Sequence, residues 1–286
     1  MLLNASGCLD ALTAPDVARS LDAFVTKTVT PLAREGNEPV RIAETEVGML
    51  NSIGLANPGI DTFLARVLPQ LSRLDVPIWV SVGGFTPDEY AEICQRLDDE
   101  AEVAAVELNV SCPNVESAAA SAGEIVATAR MATRKRLWAK LSPAVPDIAE
   151  VARAAQDAGA DGLSLVNTIR GLKLDDRTLQ PSLRRGVGGL SGPALKPIAL
   201  AAVHACYAAT GLPIVGMGGV QTGRDVLDFV AVGAEHVALG TVLFADPAAP
   251  MRIRGELAAE LQARGVRALA DAHAIAHPAP SPVLAT

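Results

Sequence analysis

The sequence predicts a closed (β/α)8 TIM barrel, in which eight parallel strands are each followed by a helix and the active site lies at the carboxyl ends of the strands. Short β-rich segments alternate with longer helical patterns along the chain, which is typical of βα units. The length of 286 residues suits one such barrel. No Gly-x-Gly-x-x-Gly turn follows the first strand, which disfavours the alternative of an open doubly wound sheet.

Eight segments are predicted to be strands because they are short, apolar and rich in β-branched residues. They are residues 2–5, 24–28, 78–82, 103–110, 137–141, 162–167, 214–217 and 236–239. The helical candidates between them are residues 61–73, 87–97, 121–134, 147–158, 193–209, 222–232 and 247–264. Pro87, Pro193 and Pro247 fit the first turns of three of these helices, where a missing backbone N–H costs nothing.

Two stretches, 30–59 and 168–192, are too long to be simple connections. Long loops on a barrel usually form lids or binding elements, so we expect both to contribute to a site. The proline-rich segment that begins at His277 predicts a disordered tail. We therefore divide the chain into a single barrel domain at 1–270 and a tail at 271–286.

The composition restricts the classes of partner. Hydrophobic residues make up 50% of the chain but aromatic residues only 3%, which argues against stacking platforms for single-stranded nucleic acid. The formal net charge of −8 argues against nucleic acid and anionic membranes. His204, Gly211 and Pro213 interrupt the apolar stretch 198–215, and no signal peptide is recognisable. A soluble cytoplasmic protein is therefore expected.

The cysteines do not predict a metal site. Cys8, Cys94, Cys112 and Cys206 are far apart and include no Cys-x-x-Cys pair. The chain thus lacks the usual ligand spacing of a zinc site or an iron–sulfur cluster. Any cluster that the function needs would belong to another chain.

Cys112 is the candidate catalytic residue. It closely follows a predicted strand and lies between Asn109 and Asn114. A thiolate can accept a proton, and asparagine amides can donate hydrogen bonds to a planar heterocycle and accept them from it. This combination points to proton abstraction from a pyrimidine-like ring. The simpler alternative is a small buried apolar residue, which free cysteines often are.

Glycine-rich turns follow the last two predicted strands. They are 216–219 (Gly-Met-Gly-Gly) and 240–241 (Gly-Thr), and a further flexible run spans 186–192. Barrels commonly bind a phosphate with backbone N–H groups at this place, although such turns also occur simply as tight connections.

Lys27 and Lys140 lie inside otherwise apolar predicted strands. Each alone could extend to water, but lysine is rarely buried without a partner. Because the carboxyl ends of barrel strands meet at one mouth, the two lysines favour an anionic ligand or a cofactor such as a flavin. Asparagines share this predicted location, although each alone is more often a turn former. They are Asn51, Asn57, Asn109, Asn114 and Asn167.

These residues resemble the signatures of the class 1 dihydroorotate dehydrogenases, which are flavin mononucleotide (FMN) enzymes of pyrimidine biosynthesis. The resemblance runs from about residue 4 to about residue 247. Matching segments are 4–7 (NASG), 27–28 (KT), 34–37 (REGN), 51–55 (NSIGL), 109–114 (NVSCPN), 140–143 (KLSP), 167–168 (NT), 188–192 (GGLSG) and the two glycine turns. Class 2 looks similar but has serine at the position of Cys112.

Within class 1, three segments are similar to type B: 27–30 (KTVT), 167–175 (NTIRGLKLD) and 216–220 (GMGGV). Type B implies a partner subunit that carries FAD and a [2Fe–2S] cluster and passes electrons to NAD. The lack of a cysteine cluster in this chain agrees with that division of labour. The resemblance implies a homodimer, or a heterotetramer with the partner.

The resemblance also implies roles for individual residues. Cys112 would remove the C5 proton of (S)-dihydroorotate while the C6 hydride goes to the flavin, which gives orotate for de novo UMP synthesis. The implied FMN contacts are Ala5, Ser6, Gly7, Lys27, Thr28, Asn109, Lys140, Val166, Gly189, Gly192, Gly218, Gly219, Gly240 and Thr241. The implied substrate contacts are Lys27, Asn51, Ile53, Gly54, Leu55, Asn109, Asn114, Asn167 and Thr168.

Four alternatives remain open from the sequence. The reduced flavin could pass its electrons to fumarate instead of NAD. A flavin-dependent tRNA dihydrouridine synthase has a similar fold and a catalytic cysteine, but it needs a basic face. A dihydropyrimidine dehydrogenase-type subunit usually continues its cysteine segment with histidine, where this chain has Asn114-Val115. The last alternative is a degenerate barrel that only binds a partner.

Overall fold

A computed structural model of the chain describes residues 1–110 and 118–278. Its strands are β1 (Leu2–Asn4), β2 (Phe24–Val25), β3 (Ile42–Thr45), β4 (Gly48–Asn51), β5 (Ile78–Val82), β6 (Val103–Asn109), β7 (Arg136–Leu141), β8 (Gly162–Leu165), β9 (Ile169–Leu172), β10 (Val187–Ser191), β11 (Ile214–Met217) and β12 (His236–Leu239). Its helices are α1 (Pro15–Arg19), α2 (Ile60–Thr62), α3 (Leu68–Leu71), α4 (Pro87–Asp98), α5 (Ala118–Ala132), α6 (Ile148–Asp157), α7 (Lys196–Thr210), α8 (Gly223–Ala231), α9 (Val242–Ala245) and α10 (Ala249–Ala263).

Eight parallel strands form the predicted barrel. Their order is β1-β12-β11-β8-β7-β6-β5-β2, and a parallel bridge between Leu3 and Ala23 joins the two ends of this sheet. All eight coincide with the predicted segments, so the (β/α)8 fold class is confirmed. Both faces of such strands are covered, which explains their nearly continuous apolar sequences.

The side chain of Asn4 completes the seam between β1 and β2. Its Nδ2 donates to the carbonyl of Val25 at 2.7 Å, and its Oδ1 accepts from the Val25 N–H at 2.8 Å. The amide therefore does what a strand backbone does in a sheet ladder. Asn4 is fully buried, so no water can replace either bond.

Two apolar cores stabilise the barrel. The larger one lies between the strands and the surrounding helices. The smaller one fills the barrel interior, where the rings of Trp79 and Trp138 have centroids 4.8 Å apart and His236 lies beside both. These three residues come from the amino-terminal parts of their strands, so this end of the barrel is closed by aromatic side chains.

The predicted helices are present with local differences. Segment 61–73 forms α2, a π turn at Phe63–Val67, α3 and a 3-10 turn at Ser72–Leu74, because Pro69 cannot donate the next α-helical bond. Pro87 and Pro193 begin their helical segments as predicted.

The prediction for Pro247 was wrong, because α10 starts two residues later. The Asp246 side chain accepts the N–H of Ala248, and its carbonyl accepts the N–H of Ala249. These bonds form a turn that delays the helix start. Pro250 occupies the first helical turn instead.

The two long stretches pair with each other in a second sheet that the sequence did not predict. It is antiparallel with the order β3-β4-β10-β9, and Leu50 of β4 lies opposite Leu190 of β10. β3 and β9 alternate half-buried and exposed residues, and β4 and β10 are mostly half-buried, so none of the four is a fully buried apolar run like those of the barrel strands.

Residues 271–278 pack against the helices rather than extending away from them. Ala274 and Ala276 donate backbone hydrogen bonds to Val230 and Ala231 at the end of α8. The ring of His277 stacks on that of His204 with a centroid distance of 4.0 Å. The boundary predicted at residue 270 therefore falls inside a packed segment, and residues 279–286 lie outside the described part.

Within the described ranges, no helix has both the length and the apolar character needed to cross a membrane.

Replacing Asn4 by alanine is expected to lower the free energy of unfolding by about 2–4 kcal/mol, because it leaves both backbone groups of Val25 buried without partners. Urea denaturation followed by circular dichroism measures the change. The control is Gln262→Ala on the exposed face of α10, with an expected effect within about 0.5 kcal/mol. Equal effects of the two substitutions would contradict the role of Asn4 in the seam.

Candidate active site

A cavity of about 470 Å³ opens at the carboxyl ends of the barrel strands, between the barrel and the second sheet. Its lining follows almost every barrel strand in turn and includes most of the residues singled out in the sequence. These are Ala5, Ser6, Gly7, Lys27, Thr28, Asn51, Ile53, Gly54, Leu55, Asn109, Lys140, Val166, Asn167, Thr168, Gly192, Gly218, Gly219, Gly240 and Thr241. The structure therefore brings together residues that are far apart in the chain.

A few of the residues singled out lie elsewhere. Gly189 borders an adjoining cavity of about 540 Å³, where a Cβ would lie 2.1 Å from Thr168 Oγ1. Asn57 does not line the first cavity, and its side chain donates to Leu55 O at 2.7 Å. Cys112 and Asn114 lie outside the described residues.

Neutral amides are fixed on one side of the cavity. Asn167 Nδ2 donates to Asn109 Oδ1 at 3.1 Å, and the Tyr90 hydroxyl donates to the carbonyl of Asn109 at 2.7 Å. Asn51 Nδ2 donates to the carbonyl of Gly189 across the second sheet at 3.3 Å. Held amides of this kind can match the alternating donors and acceptors of a planar heterocycle.

The backbone of Ile53, Gly54 and Leu55 forms a cradle of N–H groups beside these amides. Each carbonyl of the three accepts a hydrogen bond, from Asn37 N, Arg34 Nε and Asn57 Nδ2 respectively. None of the three N–H groups donates to an acceptor in residues 1–110 or 118–278. Gly54 and Leu55 have positive φ angles of 76° and 56°. Consecutive available N–H groups in such a turn suit a carboxylate or another anion.

A second set of N–H groups lies at the glycine turns after β11 and β12. Gly218 and Gly219 have φ angles of 121° and 79°, and a Cβ on Gly219 would lie 2.9 Å from the carbonyl oxygen of Gly192. The N–H groups of Gly219, Gly240 and Thr241 find no acceptor within the described chain. This turn region therefore offers donors to an anion such as phosphate, as the sequence predicted.

An ion cluster braces the turn after β11 from behind. Lys196 Nζ pairs with Asp225 and, at 2.7 Å, with Asp228. Asp225 Oδ2 accepts the N–H groups of Gln221 and Thr222, each at 2.8 Å. The Asp225 pKa lies below its usual range; burial opposes this shift, and the hydrogen bonds from Lys196 and the backbone outweigh the burial. The carboxylate therefore stays charged and holds the turn in place.

Four ionisable side chains interact electrostatically at the base of the cavity. Lys27, Lys140 and Cys8 line it, and Glu107 lies with its Oε1 3.6 Å from Lys140 Nζ. Burial lowers the pKa of Lys27, and the nearby Lys140 charge lowers it further. Burial raises the pKa of the Cys8 thiol, although the two lysines oppose this shift. The cavity thus concentrates positive charge where water is scarce.

Cys8 and Glu107 are site residues that the sequence analysis missed. Glu107 carried a usable signal, because a charged residue inside the apolar run of β6 is the same feature that identified Lys140 in β7. Cys8 had a weaker one, since it directly follows Ala5, Ser6 and Gly7. In the described part of the chain, no group of three or more His, Cys, Asp or Glu side chains is arranged to hold a metal ion.

Fold and site together define a class of protein. A (β/α)8 barrel with available backbone N–H groups in the turns after its last two strands, and with fixed amides and lysines at the same mouth, is typical of enzymes whose ligands carry phosphate. The family model described as dihydroorotate dehydrogenase matches residues 1–261. The chain belongs to the dihydroorotate dehydrogenase family.

Curated relatives are similar over most of their length. The catalytic subunit of dihydroorotate dehydrogenase B (NAD(+)) from Listeria monocytogenes is 43% identical over 258 residues, which cover 88% of this chain and 85% of that protein. The protein of the same name from Desulforudis audaxviator is 44% identical over 264 residues, covering 90% and 86%.

A solved structure shows the same fold at greater distance. A crystal structure of the enzyme from Eimeria tenella in complex with ferulenol superposes with a TM-score of 0.81 at 22% identity, covering 97% of this chain and 85% of that one. At this identity, the match supports the barrel architecture and no more.

Substituting Gly219 by alanine is expected to cost about 1–3 kcal/mol of unfolding free energy, because a Cβ there requires a strained backbone and meets the Gly192 carbonyl. Gly255→Ala in α10 is the matched control. A Cβ at Gly255 has no neighbour within 4 Å, so this change should be neutral or stabilise by up to about 1 kcal/mol. Thermal or urea unfolding compares the two, and a harmless Gly219→Ala would refute the close approach of the two turns.

Proposed function

We propose that this chain oxidises (S)-dihydroorotate to orotate with FMN as cofactor, as the catalytic subunit of an NAD-linked dihydroorotate dehydrogenase in pyrimidine biosynthesis. The observation that carries the proposal is that glycine turns with available N–H groups, two lysines and fixed amides line the same cavity in a chain of this family. The names of the curated relatives agree with it.

The residues present fit FMN. Its phosphate would lie on the N–H groups of Gly219, Gly240 and Thr241, where the two glycines have no side chain to keep an anion from the backbone. Lys27 and Lys140 would lie near its ring, where a cation favours the negative charge that the ring gains on reduction. When bound, FMN supplies the hydride acceptor of the reaction.

The amides and the second cradle fit the substrate. Asn51, Asn109 and Asn167 would orient the dihydroorotate ring through its imide edge. The N–H groups of 53–55 would bind its carboxylate, since they are available donors that line the same cavity as the amides. These contacts hold the ring in one orientation, which is the main requirement for proton and hydride removal from adjacent carbons.

Cys112, which lies outside the described residues, is the proposed base. Its Sγ would accept the C5 proton of dihydroorotate as the C6 hydride leaves. A thiol is a competent base only as a thiolate, so the surroundings of Cys112 control the rate. Asn114, also outside the described part, would bind the ring from the same segment.

The electron acceptor is proposed to be NAD, reached through a partner subunit with FAD and a [2Fe–2S] cluster. The words "catalytic subunit" in the names of the relatives support a partner. A homodimer or a heterotetramer with that partner, a single FMN-binding domain and a cytoplasmic location remain predictions.

Anaerobic addition of dihydroorotate to the purified chain tests the proposal. We expect dihydroorotate to bleach the flavin absorbance at a rate that increases with dihydroorotate concentration. Addition of NAD alone should then reoxidise the flavin very little, because the partner subunit is missing. Rapid reoxidation by fumarate would replace the NAD-linked assignment with a fumarate-linked one. Bound FMN without bleaching would contradict the assigned substrate, and a chain that binds no FMN would contradict the proposed function as a whole.

The substitution Cys112→Ala is expected to retain bound FMN and to lose most of the reductive half-reaction, because the proton at C5 has no other assigned acceptor. Stopped-flow absorbance measures flavin reduction. The matched control is Cys94→Ala in α4, where burial raises the thiol pKa to about 12 and the residue does not line the cavity. Reduction of Cys112→Ala at the wild-type rate would remove Cys112 from the mechanism.

A further inference from the structure

Glu107 is a buried carboxylate with an incomplete set of partners. Its side chain is 2% exposed, and its Oε1 has no hydrogen-bond partner within the described chain. The nearest cation is Lys140, whose Nζ lies 3.6 Å from Oε1, beyond hydrogen-bond distance. A buried carboxylate is costly unless it is paired and hydrogen-bonded, so this position needs an explanation.

The strand register places Glu107 directly beneath the cavity. Lys140 of β7 is the register partner of Asn109 in β6, two residues after Glu107, and of Ser164 in β8. Asn109 and Lys140 line the cavity, whereas Glu107 does not. The hydroxyl of Ser164 is likewise buried without a partner in the part of the chain described. Glu107 can therefore act on a cavity ligand only through Lys140 or through its electric field.

Stability alone does not account for this pair. Replacing a buried ion pair by apolar residues of similar volume is often neutral or stabilising, so the fold has little need of one. The surrounding barrel interior is apolar and includes Trp79, Ala105 and Trp138. The pair does, however, face a site with excess positive charge, because Lys27 also lines the cavity and its pKa is lowered partly by the Lys140 charge.

We propose that Glu107 is a positioning residue of the active site: its carboxylate holds the Lys140 ammonium at the base of the cavity and cancels part of its charge. Glu107 thereby moderates the positive potential that the cavity presents to a bound flavin ring. This inference rests on the proposed binding of FMN. Among residues 1–110 and 118–278, the other ionisable groups that interact here are Lys27 and Cys8, and neither is a carboxylate.

The reduction potential of bound FMN tests this role in a double-mutant cycle of Glu107→Gln and Lys140→Met. In the wild-type background, Glu107→Gln leaves an unopposed cation near the ring, so the potential should rise. In the Lys140→Met background, the same substitution should have almost no effect. No ammonium remains at residue 140 in that background for the carboxylate to hold in place. Coupling of the two effects is the signature of action through Lys140.

The measurement is an anaerobic dye-equilibrated titration at neutral pH on FMN-loaded protein, with circular dichroism as a check of folding. The inference is overturned if the reduction potential is unchanged or lowered in Glu107→Gln, or if it rises equally in both backgrounds. The proposed function is tested separately, and it stands as long as dihydroorotate bleaches the flavin. A wild-type chain that binds no FMN overturns both.

If Glu107→Gln does not fold, the double variant Glu107→Gln/Lys140→Met tests the inference instead. If the carboxylate serves to compensate Lys140, adding Lys140→Met should restore the folded state, because the unpaired buried ammonium is then gone. Failure of this rescue would show that Glu107 acts through something other than Lys140, and the inference would fall.

Discussion

Closure of the barrel at the β1–β2 seam is the constraint on which the site depends. Asn4 holds the seam, and the residues directly after the two strands form one wall of the cavity. Ser6 Oγ donates to the carbonyl of Thr26 at 2.8 Å, and a Cβ on Gly7 would lie 3.0 Å from Lys27 Nζ. If the seam opened, Gly7 and Lys27 would move apart. A buried amide thus controls the geometry of a functional wall, although it lies outside the cavity itself.

Much of this arrangement was predictable from sequence, for reasons that differ between residues. Barrel strands such as β6 and β11 are buried on both faces, so they appear as apolar runs, and a lysine or a double glycine at their ends stands out. The mouth residues then follow from topology, because all eight carboxyl ends meet. Lys27, Lys140 and Gly219 were found in this way, and the resemblance supplied their implied roles.

The remainder depends on contacts between distant segments. The pairing of β4 with β10 joins residues 48–51 and 187–191, which are far apart in the chain, and neither strand has a fully buried apolar run of its own. The N–H cradle at 53–55 depends on hydrogen bonds that Arg34, Asn37 and Asn57 donate to the carbonyls of this segment. No local sequence pattern predicts these bonds. The position of Gly189 behind Thr168 likewise depends on pairing across this sheet.

The second sheet explains how a long insertion can serve as precise binding machinery. A flexible loop would have to become ordered each time a ligand bound, and that conformational entropy would reduce affinity. In this chain, four paired strands hold Asn51 and Thr168 at the cavity before any ligand arrives. The carbonyls of 53–55 are already hydrogen-bonded on the far side, so their N–H groups need no rearrangement to meet an anion. Donors fixed in advance need no reorganisation during the reaction, and their electrostatic effect is strongest where water is excluded. Under the proposed function, the barrel strand ends would supply the lysines, the phosphate donors and the amides of Asn109 and Asn167, and the inserted sheet would add Asn51 from a separate element of the same cavity.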